Sequence, residues 1–373
     1  MSFVKGYSQN SSFESMHGRD KSFKLTKEEA LKRMRLEKPR VDNYKSLCER
    51  VLLGRKQRIY NQEYYDLVTD LLEWNQELYT VWNYRKELIT NFLFKSIKEA
   101  CVQARHDILV KELDFVLKKL KQSPKSYWIW NHRIWCLKLD KLSNWPMELQ
   151  LIETFLKVDS RNYHVWSYRR LIVGFMKSDQ EFTKSDELID FEEFKFTTKM
   201  INRDISNYSA WHNRSQLIVK LFLKSPGIEL QDDDKSISEY LGVFRKKDKI
   251  GFLRKELNLV KTAIYTDPED SSVWFYLKWL ISDYFIKELT NTEEVLKLVE
   301  KLNVDVEELN EVELDDNGIE NNWCLITEVY LMKRLFKLQK NPQDLEKFHE
   351  ILNKLMVLDP MRIERYKEIK LNE

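Results

Sequence analysis

Apolar residues recur every three or four positions along most of this 373-residue chain. The pattern begins near Leu25 and is clear at Leu47 and Val51, and again at Leu67 and Leu71. This spacing places apolar side chains on one side of an α-helix. No segment alternates strictly between apolar and polar residues over the length of a strand. Eight Gly and seven Pro are also few for a protein of strands and turns. The sequence therefore predicts an all-α protein.

A block of seven residues, centred on a tryptophan, recurs along the chain. Four copies carry Tyr at the first position, Trp at the fourth and Arg at the seventh: Tyr79–Arg85, Tyr127–Arg133, Tyr163–Arg169 and Tyr208–Arg214. A fifth copy, Ser271–Leu277, keeps the tryptophan and lacks the Tyr and the Arg. On a helix the first, fourth and seventh positions fall close to one face. A block that repeats in this way predicts an array of helical repeats.

The intervals between the block tryptophans fit repeats of two antiparallel helices. From Trp82 they are 48, 36, 45 and 63 residues, reaching Trp130, Trp166, Trp211 and Trp274. Helix-pair repeats are about 34 to 47 residues long, so we place an insertion in the last interval, at Ser225–Gly227 and Asp232–Asp234. The last four copies follow polar runs that can cap a helix start, at residues 123–126, 159–162, 204–207 and 267–270. We therefore expect each block to open one helix of a pair.

The domain organisation follows from these repeats. Residues 1–24 are rich in Ser, Asn and Lys and are predicted to be a flexible extension, and residues 25–373 a single helical-repeat domain. The repeat blocks lie near 75–90, 123–138, 159–174, 204–219 and 267–282. Eight carboxylates fall within residues 305–320, which we interpret as an exposed acidic loop. Further helices are expected to start near Asn322, Asn341 and Asp359.

Charge and cysteine content exclude several classes of protein. The net charge is +2, from 62 basic and 60 acidic residues, which gives no overall attraction to nucleic acid. Four scattered cysteines without a C-x-x-C pair fit a reduced, cytoplasmic chain better than a disulfide framework. The six histidines show no metal-binding spacing, so we assign this chain no metal. No apolar run approaches the roughly 20 residues of a membrane span, and no signal peptide is recognisable.

The repeated blocks resemble those of the protein prenyltransferase alpha subunit family, over about residues 16 to 370. Several stretches are similar to the family's Rab geranylgeranyltransferase branch: Pro124–Tyr127, Asn144–Trp145, Asn207–His212, Thr266–Pro268, Trp323–Leu325 and Asp359–Arg362. Met16–Arg19 also resembles the N-terminus of that branch. Either residues 1–15 are an extension, or the chain starts at Met16.

The resemblance implies a fold, a partner and a reaction. The fold is a crescent-shaped α–α superhelix of antiparallel helix pairs, wrapped around a beta subunit as an obligate heterodimer. The beta subunit is expected to carry the catalytic zinc, so no cofactor is expected in this chain. The reaction is transfer of geranylgeranyl from geranylgeranyl diphosphate to C-terminal cysteines of Rab GTPases, which an escort protein presents. The resemblance thus predicts one half of an enzyme.

Three residues are candidates for the isoprenoid diphosphate site through this resemblance. Lys125 is similar in position to a family lysine that reaches the diphosphate, and Tyr127 and Tyr163 resemble tyrosines that face the same pocket. Lys125 also precedes a helix start, where N–H groups and the helix dipole favour anions. A lysine in a turn is ordinarily just a solvated residue. Because Tyr79 and Tyr208 fill the same block position, packing between repeats explains most of the tyrosine pattern. No residue of this chain is assigned as catalytic.

The other block residues are interpreted as scaffold. A stripe of tryptophans at repeat spacing is usually core, and histidines within blocks are usually hydrogen-bonded packing residues: His132, His164 and His212. The block arginines are expected to pair with carboxylates or helix-end carbonyls of the adjacent repeat, because a buried charge needs a partner. Any Tyr or Arg left exposed would suit an interface with another protein.

Two alternative functions stay open. One is a non-enzymatic scaffold of the tetratricopeptide kind, which Lys125 and Asp359–Arg362 argue against through the resemblance. The other is the alpha subunit shared by farnesyl and type I geranylgeranyl transferases. Those enzymes typically have, at the position of Trp128, a Gln that holds the C-terminal carboxylate of the substrate. Trp128 offers one N–H and a large apolar face instead, which together with Asn322–Leu325 favours the Rab type.

Overall fold

The fold is described from a computed structural model of the chain. The structure describes residues 26–97, 101–179, 182, 184–224, 238–282, 292–339 and 344–369. The predicted extension, the predicted insertion near Ser225 and the predicted helix start at Asn341 lie outside these ranges. Contacts group the chain into two compact units, Met1–Ser143 and Asn144–Glu373, which we describe separately. A single repeat domain over residues 25–373 stays a prediction.

The first unit is built from helices joined by short turns. They are α1 (Lys27–Lys56), α2 (Gln62–Trp74), α3 (Tyr79–Leu88), α4 (Val102–Gln122) and α5 (Tyr127–Leu139), with a π-helical turn, Ile89–Leu93, after α3. Helices α2 and α3 pack as one pair, and α4 and α5 as the next. Fully buried side chains such as Ile89, Leu109 and Cys136 fill the space between the pairs. The pairing follows from the apolar stripe that the sequence gives each helix.

The second unit continues the same arrangement. Its helices are α6 (Trp145–Val158), α7 (Tyr163–Ser178), α8 (Asp186–Arg203), α9 (Tyr208–Val219), α10 (Ser238–Arg245), α11 (Lys249–Thr266), α12 (Ser271–Leu280), α13 (Thr292–Asn317), α14 (Asn322–Gln339), α15 (Asp344–Leu358) and α16 (Ile363–Lys367). Phe194, Phe244 and Phe252 are buried against one another within it. The described residues contain no strand, so the prediction of an all-α protein is confirmed.

The repeated block opens the second helix of each pair. Helices α3, α5, α7, α9 and α12 all begin at the first residue of a block. The predicted cap runs supply the capping side chain for three of them: the Oδ1 atoms of Asn162, Asn207 and Asp270 accept backbone N–H groups of α7, α9 and α12. Ser126 precedes α5 and makes no side-chain capping hydrogen bond. The cap prediction is therefore confirmed for α7, α9 and α12.

These caps give a first testable prediction. Asn162 Oδ1 accepts from His164 N at 3.0 Å and from Val165 N at 3.2 Å. Replacing Asn162 with Ala should lower the free energy of unfolding by about 1 kcal/mol, measured by urea denaturation, because α7 loses its cap. Ser126→Ala is the matched control, because Ser126 makes no side-chain cap bond in α5. Equal losses in the two variants would contradict this assignment.

The acidic loop predicted for residues 305–320 is wrong for most of its length. Residues up to Asn317 belong to helix α13. Leu302, Val306 and Leu309 are buried there at helical spacing, which the density of carboxylates obscured. Lysines on neighbouring helices pair with two of these carboxylates: Asp305 accepts from Lys261, and Glu307 pairs with Lys347. The helix start predicted at Asn322 is confirmed.

Candidate functional site

The block tryptophans fix the turn inside each helix pair. Each indole is almost fully buried. Each Nε1–H donates to the backbone carbonyl six residues earlier, at 2.7 to 2.9 Å: Trp82 to Gln76, Trp130 to Pro124, Trp166 to Ser160, Trp211 to Ile205 and Trp274 to Pro268. The bond ties the start of the second helix to the preceding turn, and burial of the ring stabilises it. The scaffold interpretation of these residues is confirmed.

The block arginines join successive repeats through buried ion pairs. Arg214 binds Glu256 in a fork, with Nε–Oε2 at 2.9 Å and Nη2–Oε1 at 2.6 Å, and both side chains are fully buried. Arg85 binds Glu112 in the same way, at 2.6 and 2.8 Å. Arg169 pairs with Glu193 at 2.6 Å. In each case the carboxylate lies on the first helix of the next repeat. The predicted pairing with the adjacent repeat is confirmed for these three arginines.

The partner glutamates were missed in the sequence, although a signal for them exists. A Glu stands 18 residues before each of the last four block tryptophans: Glu112, Glu148, Glu193 and Glu256. The first block has Tyr64 there, and no earlier block precedes it to supply an arginine. Three of the glutamates also accept from the sixth block position of their own repeat: Glu112 from His132, Glu148 from Tyr168 and Glu256 from Tyr276. The repeat therefore has a fourth recurring position, this glutamate, in addition to the Tyr, Trp and Arg of the block.

The Glu112 site has a strongly perturbed carboxyl group. Burial alone would raise the pKa of Glu112, but the charge of Arg85 and the hydrogen bond with His132 outweigh burial and hold the pKa at about 2. His132 Nε2 lies 2.7 Å from Glu112 Oε1, and burial lowers the pKa of His132. The ring also packs against Trp82 at 4.8 Å. The interpretation of His132 as a hydrogen-bonded packing residue is confirmed, whereas His212 is exposed and stacks on Tyr208.

The leading tyrosines of the blocks are exposed. Tyr79, Tyr127, Tyr163 and Tyr208 expose 53%, 59%, 60% and 53% of their surface. Packing between repeats is confirmed for Tyr79, which contacts Trp128 of the next repeat, and for Tyr208, which contacts Phe275. Each of the four rings nevertheless leaves more than half of its surface exposed. Three residues advance a helix by about 300°, which is equivalent to a rotation of about 60° in the opposite direction. The Trp therefore lies about 60° around the axis from the Tyr, and the Arg about 60° beyond the Trp. The Trp and Arg reach the buried side, and the tyrosine stays at the edge of the solvent face.

Lys125 lies in the turn between α4 and α5, and its side chain is exposed. The next residue, Ser126, is buried, and its Oγ has no hydrogen-bond partner among the described residues. The first N–H groups of α5 thus have no capping side chain, in contrast to α7 and α9. An uncapped helix start beside a lysine is suited to an anion, because both the N–H groups and the ammonium carry positive charge.

Tyr127 and Trp128 adjoin this turn at the start of α5. Trp128 packs on Tyr79 of α3 with ring centroids 5.1 Å apart, so the two blocks of the first unit form a continuous aromatic surface. Tyr163 begins α7 in the second unit, where its ring lies 5.8 Å from the His164 ring. The structure therefore brings Lys125 and Tyr127 together at one helix start. Their roles, and that of Tyr163, stay predictions.

A second aromatic surface follows the block helices of the second unit. The Tyr208 ring lies 6.5 Å from that of Phe275, which contacts Trp323 edge to face at 5.5 Å. We call Tyr208, Phe275 and Trp323 the aromatic row. Phe275 exposes half of its surface, although a phenylalanine is usually buried. Exposed aromatic residues in contact with one another are typical of protein–protein interfaces.

Neither a metal-binding cluster nor a membrane-spanning helix is found in the described ranges of the chain. In these ranges no three or more His, Cys, Asp and Glu side chains are grouped to hold a metal ion. No helix among the described residues combines the length and the apolar character needed to cross a membrane.

Glu328 of α14 carries a buried carboxyl group whose pKa lies near neutral pH. Burial, and then the charge of Glu307, raise its pKa from 4.5 to about 7. In the unfolded chain this group ionises near pH 4.5, whereas in the fold it holds its proton up to about pH 7. The contribution of Glu328 to the free energy of unfolding is therefore most favourable below about pH 4.5. It falls as the pH rises to about 7 and is constant above that pH.

Replacing Glu328 with Gln should remove this pH dependence, because Gln matches the protonated acid in shape and never ionises. From about pH 5 to about pH 8, the parent chain should lose about 2–3 kcal/mol of unfolding free energy relative to Glu328→Gln. Urea denaturation at several pH values measures the difference. Parallel pH profiles for the two proteins would contradict the assigned shift.

The comparisons with known proteins agree with this geometry. Five segments match the protein prenyltransferase alpha subunit repeat: residues 62–92, 109–140, 145–176, 190–221 and 253–284. Each holds one helix pair with its block. A solved structure, Candida albicans protein geranylgeranyltransferase-I complexed with GGPP, matches with a TM-score of 0.58 at 20% identity, over 87% of this chain and 89% of that chain. This likeness shows the fold, and with the repeats it confirms the predicted α–α superhelix of helix pairs.

Similar relatives share one description, geranylgeranyl transferase type-2 subunit alpha. The Candida albicans protein is 34% identical over 360 residues, 93% of this chain and 95% of that protein. The Saccharomyces cerevisiae protein is 34% identical over 354 residues, 94% and 98% of the two chains. The human protein is 34% identical over 271 residues, which is 71% of this chain and 42% of the longer human protein.

The chain thus belongs to the protein prenyltransferase alpha subunit family, and within it to the group of type-2 geranylgeranyl transferase alpha subunits. An alpha subunit of a prenyltransferase implies a beta-subunit partner. The alternative of a non-enzymatic repeat scaffold is not favoured by these relatives, and neither is the alpha subunit of farnesyl and type I enzymes.

Proposed function

We propose that this chain is the alpha subunit of a heterodimeric Rab geranylgeranyltransferase. The dimer transfers geranylgeranyl from geranylgeranyl diphosphate to C-terminal cysteines of Rab GTPases, which an escort protein presents. The observation that carries this proposal is similarity to type-2 alpha subunits over more than nine-tenths of the chain. Within each unit, the exposed aromatic residues of the block helices support an interface with the beta subunit.

Within the dimer, Lys125 is assigned to the diphosphate of the isoprenoid. In the transfer step the cysteine sulfur bonds to C1 of the geranylgeranyl chain, and the C1–oxygen bond breaks. The diphosphate leaves with the bonding electron pair, so negative charge grows on its bridging oxygen. An ammonium group and uncapped N–H groups beside that oxygen stabilise this charge more in the transition state than in the bound substrate. The exposed setting of Lys125 before α5 supports this role.

Tyr127 and Tyr163 are assigned to the same substrate. Each exposes more than half of its surface, so each can offer a hydroxyl donor and a ring face to a bound group. The catalytic zinc is assigned to the beta subunit, where it would supply the stabilisation of the substrate cysteine as a thiolate. Trp128, packed on Tyr79, supports an enzyme that does not read the substrate's terminal carboxylate with an amide at this position.

Co-expression with candidate beta subunits tests the proposal directly. The chain should co-purify one to one with a type-2 beta subunit, and the pair should transfer labelled geranylgeranyl to a Rab protein only when escort protein is present. The matched control is co-expression with a type I beta subunit and a peptide ending in a type I recognition box. Activity in that control, without activity on Rab, would replace the proposal with the type I alternative. Binding to neither subunit would leave the scaffold alternative.

A further inference from the structure

A cavity of about 270 Å³ lies between α12, α14 and α16 in the second unit. Aromatic and aliphatic residues form most of its walls, and the aromatic ones include Phe275, Trp323, Tyr330 and Tyr366. Phe275 and Trp323 also belong to the aromatic row, so the cavity adjoins that exposed surface. A large apolar side chain from another protein can therefore reach it without passing through the core.

The cavity also carries positive charge that its own walls do not balance. Arg362 at the rim pairs with Asp359, and the one lining carboxylate, Glu269, accepts from Asn321 Nδ2 at 2.8 Å and offsets one of the two remaining cations, Lys278 and Arg365, so that one positive charge is left over. Lys278 lies over the Tyr330 ring, with Nζ 4.0 Å from its centroid. Within the described ranges, neither Lys278 nor Arg365 has a carboxylate oxygen within 4.0 Å. Two cations at an apolar cavity favour a ligand with a carboxylate.

The size and the apolar part of the cavity favour a peptide over a small inorganic anion. A volume of about 270 Å³ can hold a large side chain, and Phe275, Ile326 and Leu355 line it beside the two cations. An inorganic anion would leave this apolar wall uncovered, whereas a peptide with an acidic and an apolar side chain would contact both parts.

We propose that this cavity receives an acidic segment of the beta subunit. A carboxylate of that segment lies between Lys278 and Arg365, and an adjacent large apolar side chain packs against Phe275 and Trp323. This inference rests on the proposed function, because the occupant is the beta subunit. It assigns a specific anchor of that interface to the C-terminal part of this chain.

Charge reversal in the purified heterodimer tests the anchor. The double variant Lys278→Glu and Arg365→Glu should raise the dissociation constant for the beta subunit by roughly tenfold or more, because repulsion replaces a charge-assisted contact. The matched control reverses Arg245 and Lys246, two exposed cations of the same unit that do not line this cavity. Biolayer interferometry at several salt concentrations measures both. The effect of the Lys278 and Arg365 variant should weaken as salt rises.

The occupant is identified by placing a photo-crosslinking amino acid at position 275 and sequencing the beta-subunit peptide that it captures. An acidic peptide with a neighbouring large apolar residue is the expected result. A captured peptide without Asp or Glu, or equal dissociation constants for the two double variants, would overturn the anchor while leaving the proposed function intact. If the unmodified chain bound no beta subunit at all, both would fail.

Discussion

Replacing Glu256 with Gln should lower the free energy of unfolding by about 3–5 kcal/mol. Arg214 and Glu256 are both fully buried, and the carboxylate keeps the guanidinium charged there, because its attraction outweighs the burial that would lower the pKa of Arg214. Gln keeps the shape but not the charge, so Arg214 is left as a buried cation without a counter-ion. Tyr276 also loses the carboxylate to which its hydroxyl donates. Urea denaturation followed by tryptophan fluorescence measures the loss.

Two controls separate charge from packing. The double variant Arg214→Met and Glu256→Gln removes both charges at similar volume, so it should be more stable than Glu256→Gln alone. Glu293→Gln breaks the exposed pair Glu293–Lys297, whose atoms are 2.7 Å apart, and should leave the free energy of unfolding unchanged. A double variant no more stable than the single one would show that geometry, rather than an unpaired charge, causes the loss.

The helical repeat could be predicted from the sequence because its signals are local. The capping residues and the block tryptophan act over a few residues of the chain. Asn162 and Asn207 therefore indicate where a helix begins, and Trp166 indicates which side of the helix is buried. The partners of the arginines are not local. Glu256 lies 42 residues after Arg214, and only the packing of one repeat on the next brings them together. The pattern of the block alone therefore predicts a carboxylate partner, and only the glutamate that recurs 18 residues before the block tryptophans identifies it as Glu256.

The acidic loop was predicted wrongly, and the exposure of the leading tyrosines was not predicted, for related physical reasons. The carboxylates between 305 and 320 obscure the stripe of Leu302, Val306 and Leu309, although helix formation depends on where apolar residues fall and not on how many charges lie between them. The tyrosines recur with the block, but recurrence does not show how much of each ring the neighbouring repeat covers. Whether Tyr127 and Tyr163 stay exposed depends on how the helices pack, which the local sequence does not show.

Lys125→Ala in the assembled heterodimer should lower the rate of geranylgeranyl transfer by roughly ten- to a hundredfold. Loss of one charge-assisted hydrogen bond to the leaving diphosphate costs about 1.5–3 kcal/mol in the transition state. Assembly with the beta subunit should be unchanged, because Lys125 is exposed in a turn and packs no core. Single-turnover kinetics with saturating geranylgeranyl diphosphate measure the rate of the chemical step. A binding titration with geranylgeranyl diphosphate measures its affinity in the ground state.

The matched control is Lys141→Ala, which removes the same charge from an exposed turn at the other end of α5. Lys125→Arg keeps the charge but not the point geometry of the ammonium, so its rate should lie between those of the parent and the alanine variant. If charge on the leaving group is what Lys125 stabilises, the loss appears mainly in the single-turnover rate, and less in diphosphate affinity. Equal rates for Lys125→Ala and Lys141→Ala would show that Lys125 is a solvated turn residue, and that the uncapped start of α5 holds no phosphate.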